Sequence, residues 1–141
     1  MSFRLFPLAP IALAAGFAVG GVGTAHAVDV KLSLTGDQEV PAVSSSASGV
    51  GTIAIKDDKS VSGSIKTKGI VGTVAHIHLA EPGKNGPPII TLTKTDENTW
   101  SVPEGAKLTD DQYKAFKEGN LYVNVHSSEH KGGEIRTQLK P

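Results

Sequence analysis

The chain has 141 residues, and its 14 Lys plus Arg balance its 14 Asp plus Glu, so the formal net charge is zero. A neutral chain carries no electrostatic footprint for nucleic acid or for an anionic membrane surface. It also has no cysteine, which excludes a disulfide framework, thiolate metal sites, iron–sulfur clusters and a cysteine nucleophile.

Residues 1–27 read as an address. Arg4 gives a positive start, an apolar and small-residue run extends from Phe6 to Val22, and Thr24-Ala25-His26-Ala27 has the A-x-A form of a cleavage site. This pattern predicts a secretory signal peptide cut after Ala27 and places the mature protein in the bacterial periplasm or outside the cell. No membrane span is expected after cleavage. The mature chain is then 141 − 27 = 114 residues, with 13 basic and 14 acidic groups. That length can bury a core without staples. Of the five histidines, His26 leaves with the leader, while His76, His78, His126 and His130 remain.

The mature chain reads as strands. Val28, Val30, Leu32 and Leu34 alternate with Asp29, Lys31 and Ser33, the period of a half-buried strand. A polar loop over 36–48 holds Gln38-Glu39-Val40-Pro41. Residues 50–55 and 61–66 predict a hairpin around the turn at 57–60. A long strand covers 71–80, and 81–88 is a Pro- and Gly-rich loop. Short strands follow at 89–93 and 99–102. Thr109, followed by Asp110, Asp111 and Gln112, starts a helix over 109–118, which Gly119 ends. Strands at 121–126 and 134–139 close the chain around the loop 127–133. The expected fold is all-β: an antiparallel, Greek-key-like sandwich or barrel of about eight strands with one short helix near 109–118. Trp100 and Tyr113 read as core or helix-docking residues. No Gly-rich loop leads from a strand into a helix, which argues against a nucleotide site.

The histidines carry the chemistry. His76 and His78 flank Ile77 within one strand, so they share a face, about 6.6 Å apart along the chain. In the late strand Leu121, Val123 and Val125 face the core, while Tyr122, Asn124 and His126 face away. All three histidines therefore point away from the apolar face of their strands. If the two strands are neighbours, three imidazoles converge, and neutral imidazole suits copper and zinc. His130, in a Gly-rich loop, is either a fourth ligand or a solvated side chain. Glu39 is either a carboxylate ligand, a partner of an imidazole N–H, or a loop-fixing acceptor. Asn124 is placed to orient His78 or His126. Arg136 lies either beside the metal or in an ion pair with Glu134.

Leu34-Thr35-Gly36-Asp37-Gln38-Glu39-Val40-Pro41, Ala75-His76-Ile77-His78, Asn85-Gly86-Pro87, residues 121–126 (LYVNVH) and residues 132–139 (GGEIRTQL) together resemble the CHRD family. The resemblance spans about Leu32 to Leu139 and implies a single CHRD domain over 28–141. The domain was first named from repeats in chordin, an extracellular antagonist of growth-factor signalling, so the resemblance also implies an interaction role. A more distant resemblance is to the copper/zinc superoxide dismutase sandwich, and it implies His76, His78 and His126 as copper ligands. The bridging histidine, the zinc ligands and the disulfide of those enzymes have no counterpart here. The leading expectation is a secreted or periplasmic protein that binds one copper ion, with zinc as the alternative ion, and serves copper homeostasis. The competing expectations are a metal-free extracellular interaction module, with another envelope protein as partner, and a copper-only dismutase-like enzyme. No catalytic residue is assigned.

Overall fold

The structure is a computed structural model that describes residues 14–16, 20–21 and 26–141. Most of the expected leader lies outside the described residues. Among those described, no helix is long and apolar enough to cross a membrane.

Three antiparallel strands begin the domain: β1 (Ala27–Thr35), β2 (Ser48–Lys56) and β3 (Val61–Lys68). The alternation in β1 holds from Asp29 onward, burying Val30, Leu32 and Leu34 and exposing Asp29, Lys31 and Ser33, whereas Val28, read as part of the inward set, is exposed near the start of the strand. Register follows from that pattern, because a one-residue slip would turn the apolar set outward; Val30 lies opposite Ile53 and Leu34 opposite Gly49. The β2–β3 turn is held by Asp58, whose carboxylate accepts from the Ser60 backbone N–H at 2.9 Å and the Ser60 hydroxyl at 2.6 Å.

The chain continues through β4 (Gly72–Leu79), β5 (Pro88–Thr91), β6 (Thr93–Asp96) and β7 (Thr99–Ser101). It then forms α1 (Asp110–Lys117) and ends in β8 (Leu121–Ser127) and β9 (Ile135–Leu139). The strand order is β5-β4-β8-β9-β1-β2-β3-β7-β6, with every pairing antiparallel. Nine strands form where about eight were expected, because the run 89–93 divides at Leu92. That single residue joins β5 at one edge to β6 at the other, so the sheet curls into a nearly closed barrel. The Leu92 N–H extends the β4–β5 ladder by donating to the Ala75 carbonyl at 2.9 Å, and across the seam Lys94 Nζ of β6 donates to the Gly72 carbonyl of β4 at 3.1 Å.

The helix starts at the expected N-cap, Thr109, and Gln112 completes a capping box that the sequence reading did not include. The Gln112 N–H donates to Thr109 Oγ1 at 3.2 Å, and the Thr109 N–H donates to Gln112 Oε1 at 3.0 Å. These two bonds satisfy backbone donors that no helical turn can reach. Gly119, at φ 79°, ends the helix. Phe116 is buried in the main apolar cluster, and Tyr113 packs against that cluster.

All seven residues of β8 are buried. Leu121, Val123 and Val125 join the core, as their phase requires. Tyr122, Asn124 and His126 are buried as well, although they face outward, because connecting segments fold over this side of β4, β8 and β9. The barrel therefore has an apolar interior and, outside part of its wall, a polar layer that includes His78, Asn124, His126, Arg136 and Glu39.

Candidate metal centre

β4 and β8 are hydrogen-bonded neighbours, and their register sets His76 opposite Asn124, His78 opposite Tyr122 and Val74 opposite His126. His126 is thus one diagonal step from His76, a position still within reach of large side chains. One ligand atom from each of His76, His78 and His126 lies within 4.8 Å of the other two. Three points so spaced share a centre no more than 4.8/√3, about 2.8 Å, from each, a short adjustment from zinc–nitrogen bonds of about 2.0–2.1 Å. His76 Nδ1 and His126 Nε2 are 3.2 Å apart. Two nitrogens on one tetrahedral ion lie about 3.3 Å apart.

Backbone carbonyls fix two of the rings. His126 Nδ1–H donates to the Lys131 carbonyl at 2.7 Å, and His78 Nδ1–H donates to the Gly86 carbonyl at 2.9 Å. Each ring then presents the lone pair of Nε2. His78 Nε2 is buried and has no hydrogen-bond partner, and a buried polar atom left unpaired carries a desolvation cost. The lone pair of His126 Nε2 accepts from His76 Nδ1–H, a proton that a shared ion would displace. Burial lowers the pKa of His76, and the nearby His126 and His78 rings add to the effect. Burial also lowers that of His78, against the opposing pull of the Gly86 carbonyl. Both rings are therefore held in the neutral, ligating form at pH 7.

A stack supports His78. Its ring lies 4.6 Å from the Tyr122 ring at an interplanar angle of 2°, and the Arg136 guanidinium carbon lies 3.5 Å from the centre of the Tyr122 ring. Arg136 donates to the Lys84 carbonyl at 2.8 Å and to Asn85 Oδ1 at 3.1 Å. It thereby ties the loop that carries the Gly86 carbonyl to the sheet. The ion pair between Arg136 and Glu134 does not form. Glu134 instead accepts from the Ser45 hydroxyl at 2.9 Å and the Ser127 hydroxyl at 2.7 Å, which secures the 127–134 loop.

The other candidates fall elsewhere. His130 converges with Glu129 and Glu134 rather than with the three strand histidines. Glu39 is also outside the histidine cluster, and the imidazole N–H groups of His78 and His126 go to backbone carbonyls rather than to its carboxylate. Burial raises the Glu39 pKa to about 7, with Asn124 and Arg136 pulling it down. Asn124 lies within polar influence of both Glu39 and His78, and its Oδ1 has no hydrogen-bond partner. Sequence reasoning placed Tyr122 on this face without giving it a role, and it missed the Gly86 and Lys131 carbonyls altogether. The phase of Tyr122 could have flagged it; a backbone carbonyl leaves no such signal.

Comparison with family models gives a match to the CHRD domain over residues 30–139. Comparisons with curated proteins and with solved structures give no match.

Proposed function

The chain belongs to the CHRD domain family, and from that premise we propose that it binds one transition-metal ion, copper in preference to zinc, through His76, His78 and His126. The observation that carries this reading is the convergence of three imidazoles, two of them oriented by backbone carbonyls, around one unpartnered nitrogen. An all-nitrogen donor set favours copper among divalent first-row ions. His76 is the least buried of the three, so it marks the route of entry. Bound copper would bring one-electron redox chemistry to this position; the residues described here hold and orient. The leader pattern at 1–27 supports action in the bacterial envelope, with a role in copper homeostasis. The test is titration of the purified protein with Cu(II) and Zn(II). Binding of either ion tighter than micromolar, lost in His76→Ala and His126→Ala, is the expected result. Failure of both ions, or wild-type affinity in both variants, ends the proposal.

A second reading, as an extracellular interaction module, has one observation in its favour. The Gln38–Pro41 loop and the Glu81–Pro88 loop meet, with Asn85 Nδ2 donating to the Val40 carbonyl at 2.6 Å.

A further inference from the structure

The metal proposal does not use the Gln-Glu-Val-Pro segment, yet its residues build one wall of a cleft. The cleft has a volume of about 380 Å³ and lies between Glu39, Val40, Pro41 and Val43 on one side and Asn85, His130 and the Gly132–Gly133 turn on the other. We propose that it binds a small organic cation, an ammonium head on a short apolar body, with Glu39 as the counter-ion.

Glu39 is only 4% exposed, and its Oε1 accepts no hydrogen bond. A buried carboxylate is ordinarily paired, because leaving its charge without a partner is expensive. Among the described residues no Lys or Arg forms an ion pair with it; the two ion pairs join Lys59 to Asp110 and Lys84 to Glu81. The nearby Arg136 spends its N–H groups on Lys84, Asn85 and Gln138. The Asn124 amide acts on this carboxyl without closing a hydrogen bond to Oε1, so a full donor to Oε1 has to come from outside the chain. Val40, Pro41 and Val43 supply the apolar wall that a short alkyl body would cover, and pockets of this size ordinarily take small molecules. A metal ion fits less well. Glu39 belongs to neither convergent set of ligating groups, and one carboxylate beside apolar walls is a poor cage for a hard cation. The cleft is also preformed. Gln38 Nε2 donates to the Ser33 carbonyl and to Thr35 Oγ1, both at 2.9 Å, and the Asn85 bond to Val40 holds the opposite side.

The experiment titrates n-butylammonium and n-butanol separately into the purified protein and follows the amide resonances of Gly132 and Gly133. A chelator in the buffer keeps the amine from reporting on bound metal. The expected result is saturable millimolar binding of the ammonium, about tenfold weaker binding of the alcohol, and a comparable loss in Glu39→Gln. Equal binding of alcohol and ammonium, full affinity in Glu39→Gln, or no saturable shift overturns the proposal. The comparison of the two probes needs no variant, so it survives a folding defect. The copper titration reads other residues, so either proposal can fail while the other stands.

Discussion

Replacing Gly86 with Ala tests whether the backbone carbonyl under His78 tunes the proposed metal centre. A Cβ at Gly86 would press into the Leu79 carbonyl, 2.8 Å from its carbon, and would lie 3.0 Å from the Ala80 Cβ. Both neighbours are at the end of β4, which is anchored to β8, so the loop has to yield. It must retreat by about 1 Å or more to restore an ordinary C···O separation of about 3.3 Å. That movement carries the Gly86 carbonyl away from His78 Nδ1, now 2.9 Å distant, and frees the ring to rotate. Loss of an outer hydrogen bond to a metal-bound histidine costs about 10–100-fold in affinity, or about 1.4–2.7 kcal/mol. Gly83→Ala is the control. Gly83 has φ 79° and nothing within 4 Å of its would-be Cβ, so the substitution strains the same loop by about 1–2 kcal/mol without crowding β4. Copper affinity is measured by competition with a chromophoric chelator for the wild type and both variants, with thermal melts alongside. The expected order is wild type equal to Gly83→Ala, with Gly86→Ala about 10–100-fold weaker. Wild-type affinity in Gly86→Ala, or an equal loss in Gly83→Ala, would refute the argument.

Three further outcomes are expected. The same competition assay should show His126→Ala weakening copper binding at least about 100-fold and His130→Ala changing it less than about threefold, since only the former belongs to the cluster; parity between them would remove His126 from the site. Glu39→Gln should stabilise the protein more at pH 8 than at pH 5. Unfolded Glu39 ionises near 4.5 and folded Glu39 near 7, so between those values the folded chain keeps a proton that the unfolded chain has lost, and stability falls as pH rises. The variant escapes that loss, worth up to about 3 kcal/mol, and a melting-temperature difference independent of pH would contradict it. Arg136→Lys should destabilise by about 2–4 kcal/mol, lowering the melting temperature by about 10 °C, because a lysine cannot reproduce the planar stack on Tyr122 or the forked bonds to Lys84 and Asn85; a shift under about 2 °C would show that the clamp is dispensable.

The strands were legible because period-two burial leaves a trace in residue order, as in Val30, Leu32 and Leu34. The helix was legible because Thr109 and Gly119 satisfy local backbone needs. The division at Leu92 was not, since residues 89–93 form one β-branched run and only closure of the barrel breaks it. The phase of the three histidines could be read from alternation, but the adjacency of β4 and β8 could not, as strand order is a property of the whole sheet. Most obscure was the burial of Asn124, Arg136 and Glu39. Alternation marks them as facing away from the apolar core, which ordinarily means toward water. Loops rich in Gly, Pro and Ser cover them instead, and no periodic signal says where such loops come to rest. The same gap explains Arg136 and Glu134. Two residues apart on one strand face they look like a pair, but Glu134 is claimed by Ser45, 89 positions away.

The register between β4 and β8 gives this cysteine-free chain another way to be cross-linked. His76 and His126 are 50 positions apart, and an ion shared between them would close a loop of that length. In the chain-entropy picture, a covalent bridge closing about 50 residues removes about 4 kcal/mol of freedom from the unfolded state. A coordination bridge draws on the same entropy, with the difference that a chelator can open it and free metal can close it. Resistance to heat and to proteases would then track metal supply, as resistance in a disulfide-bonded protein tracks oxidant.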